Sequence, residues 1–179
     1  MKYCSHCGAP VALKIPAGDT LPRHVCGACD TIHYQNPKIV AGCIPEWEGR
    51  ILLCRRAIEP RTGFWTFPAG FMELGESAEQ AAVRETFEEA RAVVQLESLY
   101  AVLTLTHVNQ VYLVYRGRLR AHEFGCGSES LEVQLFGTEA IPWNELAFPV
   151  IRDVLVRYAA ERRAGTFSVH SGSISPRSS

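Results

Sequence analysis

Short apolar segments separated by turn-forming residues follow one another along the chain after residue 37. Segments rich in apolar and β-branched residues, which are typical of strands, cover residues 38–44, 51–54, 99–106, 111–119 and 133–136. The sequence PEWEG lies between the first two and predicts a hairpin connection. The Gly- and aromatic-rich sequence TGFWTFPAGFMELGES predicts a further strand that leads into a loop.

Two stretches have the spacing of helices. Residues 77–90 begin with Ser77 and have Gln80 three positions later, which is the pattern of a capping box. Residues 149–163 have an amphipathic pattern, and Pro149 at their start suits the first turn of a helix. We therefore predict one helix in each stretch.

The two ends of the chain differ in texture from its middle. Residues 1–34 contain four cysteines and no sustained apolar period, which indicates a separate small domain. Residues 35–165 hold the predicted strands and helices and form the main domain. In residues 166–179 serine dominates, with six of the last twelve residues, so this segment is predicted to be a flexible tail.

Composition and charge exclude several classes of protein. The chain has 179 residues, of which 47% are hydrophobic and 21% charged, as in a packed globular domain. A net charge of −1 provides no bulk basic surface, so a nucleic-acid partner is not expected. No window approaches 18 consecutive apolar residues, and no apolar run follows Lys2. We therefore expect no membrane association, no secretory signal and a cytoplasmic location.

Four of the seven cysteines form two C-x-x-C pairs. Cys4 with Cys7, and Cys26 with Cys29, are separated by 18 residues, which is the spacing of a zinc ribbon. Four thiolates close a tetrahedral zinc site without an open position, so such a zinc is structural. The alternatives are four unrelated core cysteines or participation of a nearby histidine; the candidates are His6, His24 and His33. The other cysteines are two predicted buried residues, Cys43 and Cys54, and Cys126, which has no obvious partner.

The first predicted helix carries the strongest charge bias of the chain. Six Glu and one Arg lie between Glu73 and Glu89, a net charge of −5. At ~100° per residue, Glu88 lies near ~−60° and Glu89 near ~+40° from Glu85, so three carboxylates share one face. Mg²⁺ or Mn²⁺ on these oxygens would remove their mutual repulsion. The alternative is a solvated acidic face.

The remaining helix positions predict how it packs. Val83, Phe87 and Ala90 lie opposite the carboxylates and are expected to pack on a sheet. The small residues Ala78, Ala81 and Ala82 lie beside the carboxylates and leave room for a loop or ligand. Divalent ions on such a face, next to a Gly-rich loop, suit hydrolysis of a phosphoric anhydride.

The spacing Gly70-x5-Glu76-x7-Arg84-Glu85-x2-Glu88-Glu89 resembles the Nudix box. The resemblance implies an α/β fold, an α/β/α sandwich around a mixed sheet, and hydrolysis of a nucleoside diphosphate linked to another moiety. It also implies residue roles: the magnesium ligands are Glu85, Glu88, Glu89 and the Gly70 carbonyl, Arg84 orients a glutamate, and Glu76 supports the loop. The sequence departs from the usual pattern at Arg91, where Gly is typical, and at Thr86, where an apolar residue is typical.

Sequence outside the box resembles a narrower group. YQNPK, LLCRR, FWTFPAGFMELGES and ESLEVQLF, after a four-cysteine ribbon, are similar to ribbon-bearing Nudix enzymes that act on FAD or ADP-ribose, including the plant plastid FAD type. NADH pyrophosphatases carry a further array after the box that residues 93–125 lack. The alternatives are an NADH pyrophosphatase or RNA-cap hydrolase, and a sensor that binds a nucleotide without cleaving it.

The resemblance leaves several residues open. Nudix enzymes often place another carboxylate near the metals, and Glu132 is preferred here over Glu129. A base or flavin could stack on one of several aromatic residues, each also a core candidate: Tyr34, Phe64, Trp65, Phe71 and Tyr112. The expected partner is a small nucleotide substrate, and a homodimer is the assembly considered.

Overall fold

A computed structural model describes residues 1–175 of the chain. The chain divides into two compact units, Met1–Pro37 and a second unit that starts at Lys38. Within residues 1–175, no helix combines the length and the apolar character needed to cross a membrane.

The first unit is a three-stranded antiparallel sheet. Its strands are β1 (Val11–Lys14), β2 (Arg23–Cys26) and β3 (Ile32–His33), in the order β1-β2-β3. Few side chains of this unit are buried apart from Cys4 and Cys26, which are 3% and 0% exposed. Because so small a unit buries little apolar surface, its cysteines form its centre.

The described part of the second unit is built on one mixed sheet and two α-helices, with a short 3-10 helix at Thr138–Ala140. Its strands are β4 (Lys38–Trp47), β5 (Arg50–Arg56), β6 (Trp65–Thr66), β7 (Ala69–Phe71), β8 (Val94–Leu105), β9 (Gln110–Leu119), β10 (Ser130–Phe136) and β11 (His170–Ser173). The helices are α1 (Ala78–Ala90) and α2 (Pro149–Ala164). The sheet order is β10-β5-β4-β9-β8-β11, with β6 beside β5 and β7 beside β4. The β4–β9 and β8–β11 pairs are parallel and the others antiparallel.

Strand alternation places one helix on each face of this sheet. On β4, Val40 and Ile44 belong to the core that includes α2, whereas Ala41 and Cys43 pack in the core that includes α1. Residues on both faces of the strand are therefore buried. The α/β/α sandwich with a mixed sheet is confirmed.

Helix α1 turns its smallest residues toward the sheet. Ala81 and Ala82 are fully buried, whereas Val83 and Phe87 are 37% and 47% exposed. The expectation that Val83 and Phe87 pack on the sheet is therefore wrong. Alanines allow the helix backbone to lie close to the strands, and larger side chains at the interface would hold it away.

Thr86 is buried in the same interface without an unsatisfied polar group. Its hydroxyl donates a hydrogen bond of 2.7 Å to the Ala82 carbonyl one turn earlier. The hydroxyl is thus satisfied inside the helix itself, which explains why a polar residue is tolerated at a position that is usually apolar.

The helix boundaries agree with the sequence signals. The capping box of Ser77 and Gln80 is formed at the start of α1, and Pro149 is in the first turn of α2. The hairpin between β4 and β5 is shorter than predicted: β4 extends through residues 45–47 of PEWEG, and the turn consists of Glu48 and Gly49. Both have positive φ, 44° and 86°, as a tight two-residue hairpin turn requires.

The flexible tail predicted for residues 166–179 is wrong for residues 170–173. These residues form β11, which pairs in parallel with β8. Phe167 precedes the strand and packs edge-on against Tyr100, with ring centroids 6.3 Å apart. Serines occur in this strand because it lies at the sheet edge, where hydrogen bonds of the backbone matter more than burial of side chains. Residues 176–179 lie outside the described part of the chain.

The carboxylate of Glu161 ties this segment to helix α2. It accepts hydrogen bonds from the Ser168 hydroxyl at 2.6 Å and the Tyr100 hydroxyl at 2.8 Å, and His170 Nε2 lies 3.0 Å away. Partial burial acts to raise the pKa of Glu161, but these donors outweigh it and lower the pKa from 4.5 to about 2. The ionised form therefore stabilises the fold.

We predict that Glu161→Gln lowers the free energy of unfolding at neutral pH by about 1–2 kcal/mol, as for loss of hydrogen bonds to a charged group. Because the folded-state pKa is depressed, the contribution is present above pH 4.5 and disappears as the pH falls toward 2. Urea unfolding of both proteins from pH 7 to 2 measures the difference. Glu139→Gln, at an exposed carboxylate, is the control. A difference that is independent of pH would contradict this role.

Candidate active site and metal centre

The four cysteines of the C-x-x-C pairs converge in the first unit. The sulfurs of Cys4, Cys7, Cys26 and Cys29 all lie within 4.8 Å of one another. Cys4 Sγ is 3.8 Å from Cys29 Sγ, and Cys7 Sγ is 3.5 Å from Cys26 Sγ. A tetrahedral zinc with bonds of ~2.3 Å separates its sulfurs by ~3.8 Å, so this donor set fits zinc.

The surroundings of the sulfurs also suit thiolates. Backbone N–H groups of His6 and Ala28 point at the sulfurs of Cys4 and Cys26, each at 3.4 Å. Each donor lies two residues after its cysteine, so the two C-x-x-C turns have the same backbone arrangement. Among the candidate histidines, His33 comes close, with Nε2 3.3 Å from Cys4 Sγ. The thiol set is complete without it.

In the second unit, Arg84 is the centre of a network that ties helix α1 to the loop before it. Its Nε and Nη2 donate to the two oxygens of Glu76 at 3.0 and 2.7 Å, a bidentate pair. Nη2 also donates to the Phe71 carbonyl at 3.1 Å. Hydrogen bonds from Arg84, and then from the Glu73 amide, lower the pKa of Glu76 to about 2. Glu76 therefore holds the loop and the arginine together.

The remaining terminal nitrogen of Arg84 reaches the acidic face. Nη1 donates to Glu85 at 2.7 Å and to Glu88 at 3.0 Å. One cation thus contacts three carboxylates, and Glu89 is not among them.

Glu85 and Glu89 lie against strand β7, with Glu85 partly exposed and Glu89 buried. A Cβ atom on Gly70 would lie 2.3 Å from the Glu85 carboxyl carbon, so only glycine allows this approach. Glu89 is 7% exposed. Burial, and then the charge of Glu85, raise the pKa of Glu89 to about 8, while the Ala69 amide acts in the opposite direction. Burial also raises the pKa of Glu85. Of these two carboxylates, Glu85 is paired with Arg84, whereas Glu89 lies outside the reach of that guanidinium.

The carboxylates of helix α1 differ in exposure to solvent and do not form a compact cluster. The side chain of Glu88 is 54% exposed, compared with 12% for Glu85. Among residues 1–175, the four thiols are the only group of three or more His, Cys, Asp or Glu side chains whose donor atoms all lie within 4.8 Å of one another. The carboxylates of α1 are more widely spaced. Like charges repel, and Arg84 lies between Glu85 and Glu88. The donors are hard oxygens and therefore suit Mg²⁺ or Mn²⁺, which would draw them together.

A cleft of about 860 Å³ opens at this acidic face. Its walls come from helix α1 and strand β7, from the connection between β8 and β9, and from the start of α2. Arg56 lies in this cleft, with its guanidinium 5.2 Å from the ring centroid of Phe148. The cleft therefore combines an acidic wall with aromatic and cationic groups, as binding an organic phosphate requires.

Of the two candidate outer carboxylates, the structure brings Glu129 to the cleft and not Glu132. Glu129 lines it, whereas Glu132 faces Arg55 at 3.6 Å and is not among the lining residues. The preference for Glu132 over Glu129 is thus not supported by position. The pairing of β10 with β5 shifts between Ser130 and Glu132, and this irregularity separates the two glutamates.

The aromatic candidates divide in a similar way. Phe71 and Tyr112 line the cleft. Trp65 is buried in the core, edge-on to Phe136 with centroids 4.9 Å apart. Phe64 is not among the cleft residues, and Tyr34 belongs to the first unit. Sequence reasoning singled out neither Arg56, which ends the LLCRR segment, nor His107, and both meet the cleft through the fold.

Comparisons with known proteins match both units. A family model described as Nudix N-terminal matches residues 2–35, and one described as NUDIX domain matches residues 36–155. A crystal structure of a NUDIX hydrolase from Nitrosomonas europaea is 55% identical, with a TM-score of 0.92, over 97% of this chain and 100% of that one.

Two curated relatives carry names of activities. An ADP-ribose pyrophosphatase from Methanocaldococcus jannaschii is 30% identical over 131 residues, which is 68% of this chain and 75% of the relative. A NAD-capped RNA hydrolase, NudC, from Edwardsiella ictaluri is 37% identical over 97 residues, which is 52% of this chain and 35% of the relative. This chain therefore spans about a third of the second relative.

For the thiol centre, we expect about one zinc per chain after purification without added metal. Cys26→Ser should abolish zinc binding and lower the melting temperature, because it removes a ligand from the centre of a unit with little other core. Elemental analysis and thermal unfolding measure both effects. Cys126→Ser, at an exposed thiol outside the cluster, should keep the zinc. Full stability of Cys26→Ser, with no zinc in the parent protein, would refute the assignment.

Proposed function

Because the chain belongs to the Nudix hydrolase family and is a pyrophosphatase of that family, we propose that it cleaves ADP-ribose between its two phosphates. The observation that carries this proposal is the acidic wall of the cleft. Glu89 is buried outside the reach of Arg84, and Gly70 leaves the space that the Glu85 carboxylate fills. That arrangement suits a site that binds divalent cations and a diphosphate.

We propose separate roles for the residues of the wall. Glu85, Glu88 and Glu89 would hold Mg²⁺ or Mn²⁺, with the Gly70 carbonyl as a further ligand. The bound cation would neutralise the diphosphate and lower the pKa of the attacking water. Arg84 keeps Glu85 and Glu88 in place, and Glu76 keeps Arg84 in place.

Glu129 is our candidate for the group that accepts the proton of the attacking water. It lines the cleft, belongs to no ion pair within 4.0 Å among residues 1–175, and lies off helix α1, whose carboxylates are the proposed ligands. A carboxylate with these properties can take up a proton without breaking the Arg84 network.

ADP-ribose is preferred because the archaeal relative of that activity matches over three quarters of its own length. FAD is kept as a second diphosphate substrate on the basis of the sequence resemblance. A NAD-capped RNA is the competing candidate, supported by the NudC relative over a shorter match. The net charge of −1 disfavours RNA, since phosphate contacts need basic residues. The homodimer and the cytoplasmic location stay predictions.

We predict that Glu88→Gln and Glu89→Gln each lower kcat for ADP-ribose at least ~10²-fold, because each keeps the shape of the side chain and removes a charge from the acidic wall. Glu79→Gln, on the same helix at an exposed position outside the cleft, is the matched control and should retain activity. Steady-state assays with Mg²⁺ or Mn²⁺ provide the measurement. Equal losses at Glu79 and Glu88 would show that the acidic face is only structural.

We also predict the products. ADP-ribose should give AMP and ribose 5-phosphate, FAD should give AMP and FMN, and EDTA should stop both reactions. AMP and FMN should keep their phosphate, because a monoester offers no second phosphoryl group for the cations to bridge. Chromatography identifies the products, and mass spectrometry of reactions run in ¹⁸O-labelled water shows which product phosphate received the water oxygen. A NAD-capped RNA assayed in parallel tests the competing substrate. Release of inorganic phosphate from AMP, or activity that survives chelation, would overturn the proposal.

A further inference from the structure

A loop from elsewhere in the chain closes the carboxyl end of helix α1. The Gly127 N–H donates to the Glu89 carbonyl at 2.9 Å, and the Gly125 N–H donates to the Ala90 carbonyl at 2.7 Å. The last carbonyls of a helix have no partner within the helix. The loop therefore supplies donors that the final turn lacks.

Gly127 allows a contact with the helix backbone that no other residue permits. A Cβ atom there would lie 1.7 Å from the Glu88 carbonyl oxygen and 2.8 Å from the Glu88 carbonyl carbon. Both are backbone atoms of the helix, so they cannot rotate away as a flexible side chain could. At Gly125, in contrast, an added Cβ would meet no atom within 4 Å.

The same loop carries Glu129 into the cleft. Glu129 follows Gly127 by two residues, and its carbonyl accepts a hydrogen bond of 2.8 Å from the Ala57 N–H. On the other side of the contact, the backbone that touches Gly127 belongs to Glu88 and Glu89. The backbone contact at Gly127 thus joins the segment that carries Glu129 to the helix turn that carries two of the ligand carboxylates.

We propose that Gly127 is a positioning residue that sets the distance between Glu129 and the carboxylates of helix α1. This inference rests on the proposed function, because it takes these carboxylates to bind a divalent cation. A Cβ at position 127 would lift the loop from the helix and move Glu129 outward, without altering any carboxylate chemically.

The test uses Mn²⁺ alone as the probe and a pair of variants in the same loop. Gly127→Ala should weaken Mn²⁺ binding at least ~5-fold in calorimetric titrations, because the negative charge of Glu129 moves away from the ion. Gly125→Ala keeps its N–H and meets no atom, so its affinity should stay within about twofold of the parent protein. Equal affinities for the two variants would overturn the proposal.

A double variant separates positioning from general loosening of the fold. If Gly127 acts through Glu129, then Gly127→Ala should change Mn²⁺ affinity and kcat little in a Glu129→Gln background. Full additivity of the two changes would refute the inference. If Gly127→Ala does not fold, one glycine inserted between Ser128 and Glu129 displaces the carboxylate without a clash. That insertion should weaken Mn²⁺ binding to the same extent, and unchanged binding would count against the proposal.

The outcomes for the parent protein separate the two proposals. A chain that binds Mn²⁺ but cleaves no nucleoside diphosphate derivative overturns the proposed function, while the comparison of affinities still decides on Gly127. A parent protein that binds no Mn²⁺ overturns both.

Discussion

The close approach of helix α1 to the surrounding backbone is the constraint on which the site depends. On one side the carboxylate of Glu85 occupies the space above Gly70, and on the other the backbone of Glu88 contacts Gly127. Alanines at the sheet interface let the helix come this near. The carboxylates of Glu85 and Glu89 consequently lie against backbone and are partly removed from water, which raises the pKa of both. A cation that reaches these carboxylate oxygens would stabilise their ionised form.

Arg84 balances only part of the negative charge of these carboxylates. Its planar guanidinium matches Glu76 bidentately and reaches Glu85 and Glu88, so it fixes three carboxylates at once. Glu89 is outside its reach and remains the most strongly destabilised anion. A structural ion-pair network would leave no such residue, since an unpaired buried charge is costly. This imbalance is what distinguishes a site poised to bind cations from an acidic surface.

Sequence alone predicts the elements that depend on local signals. The capping box at Ser77 and the proline at the start of α2 fix both helices, and the two C-x-x-C pairs predict the thiol cluster. The helical period gives the relative directions of the carboxylates, but it does not say which face is buried. For α1 the larger apolar residues Val83 and Phe87 suggest the wrong face, because close packing against the sheet favours alanine.

Features that depend on contacts between distant parts of the chain could not be predicted from the sequence. The strand β11 follows from anchoring of residues 167–170 on Glu161 of helix α2 and on Tyr100, which lies far away in sequence. The choice between Glu129 and Glu132 depends on an irregular strand register. Arg91 adopts φ 51° at the end of α1, a conformation that costs most residues ~1–2 kcal/mol. Hydrogen bonds from the 125–127 loop to the last helical turn, ~1 kcal/mol each, offset that cost.

In the proposed function, reaction type and substrate choice depend on different parts of the fold. The acidic wall is formed by strand β7, the loop that follows it and helix α1. These elements are consecutive in the chain, so their residues recur at fixed spacings in the sequence. The opposite walls come from the β8–β9 connection and the start of α2, where Phe148 and Arg56 meet. Those segments share no short motif, because their positions are set by strand pairing across the sheet. On this proposal, a local pattern identifies cleavage at a diphosphate, whereas the organic part of the substrate would be selected by residues that only the folded chain brings together.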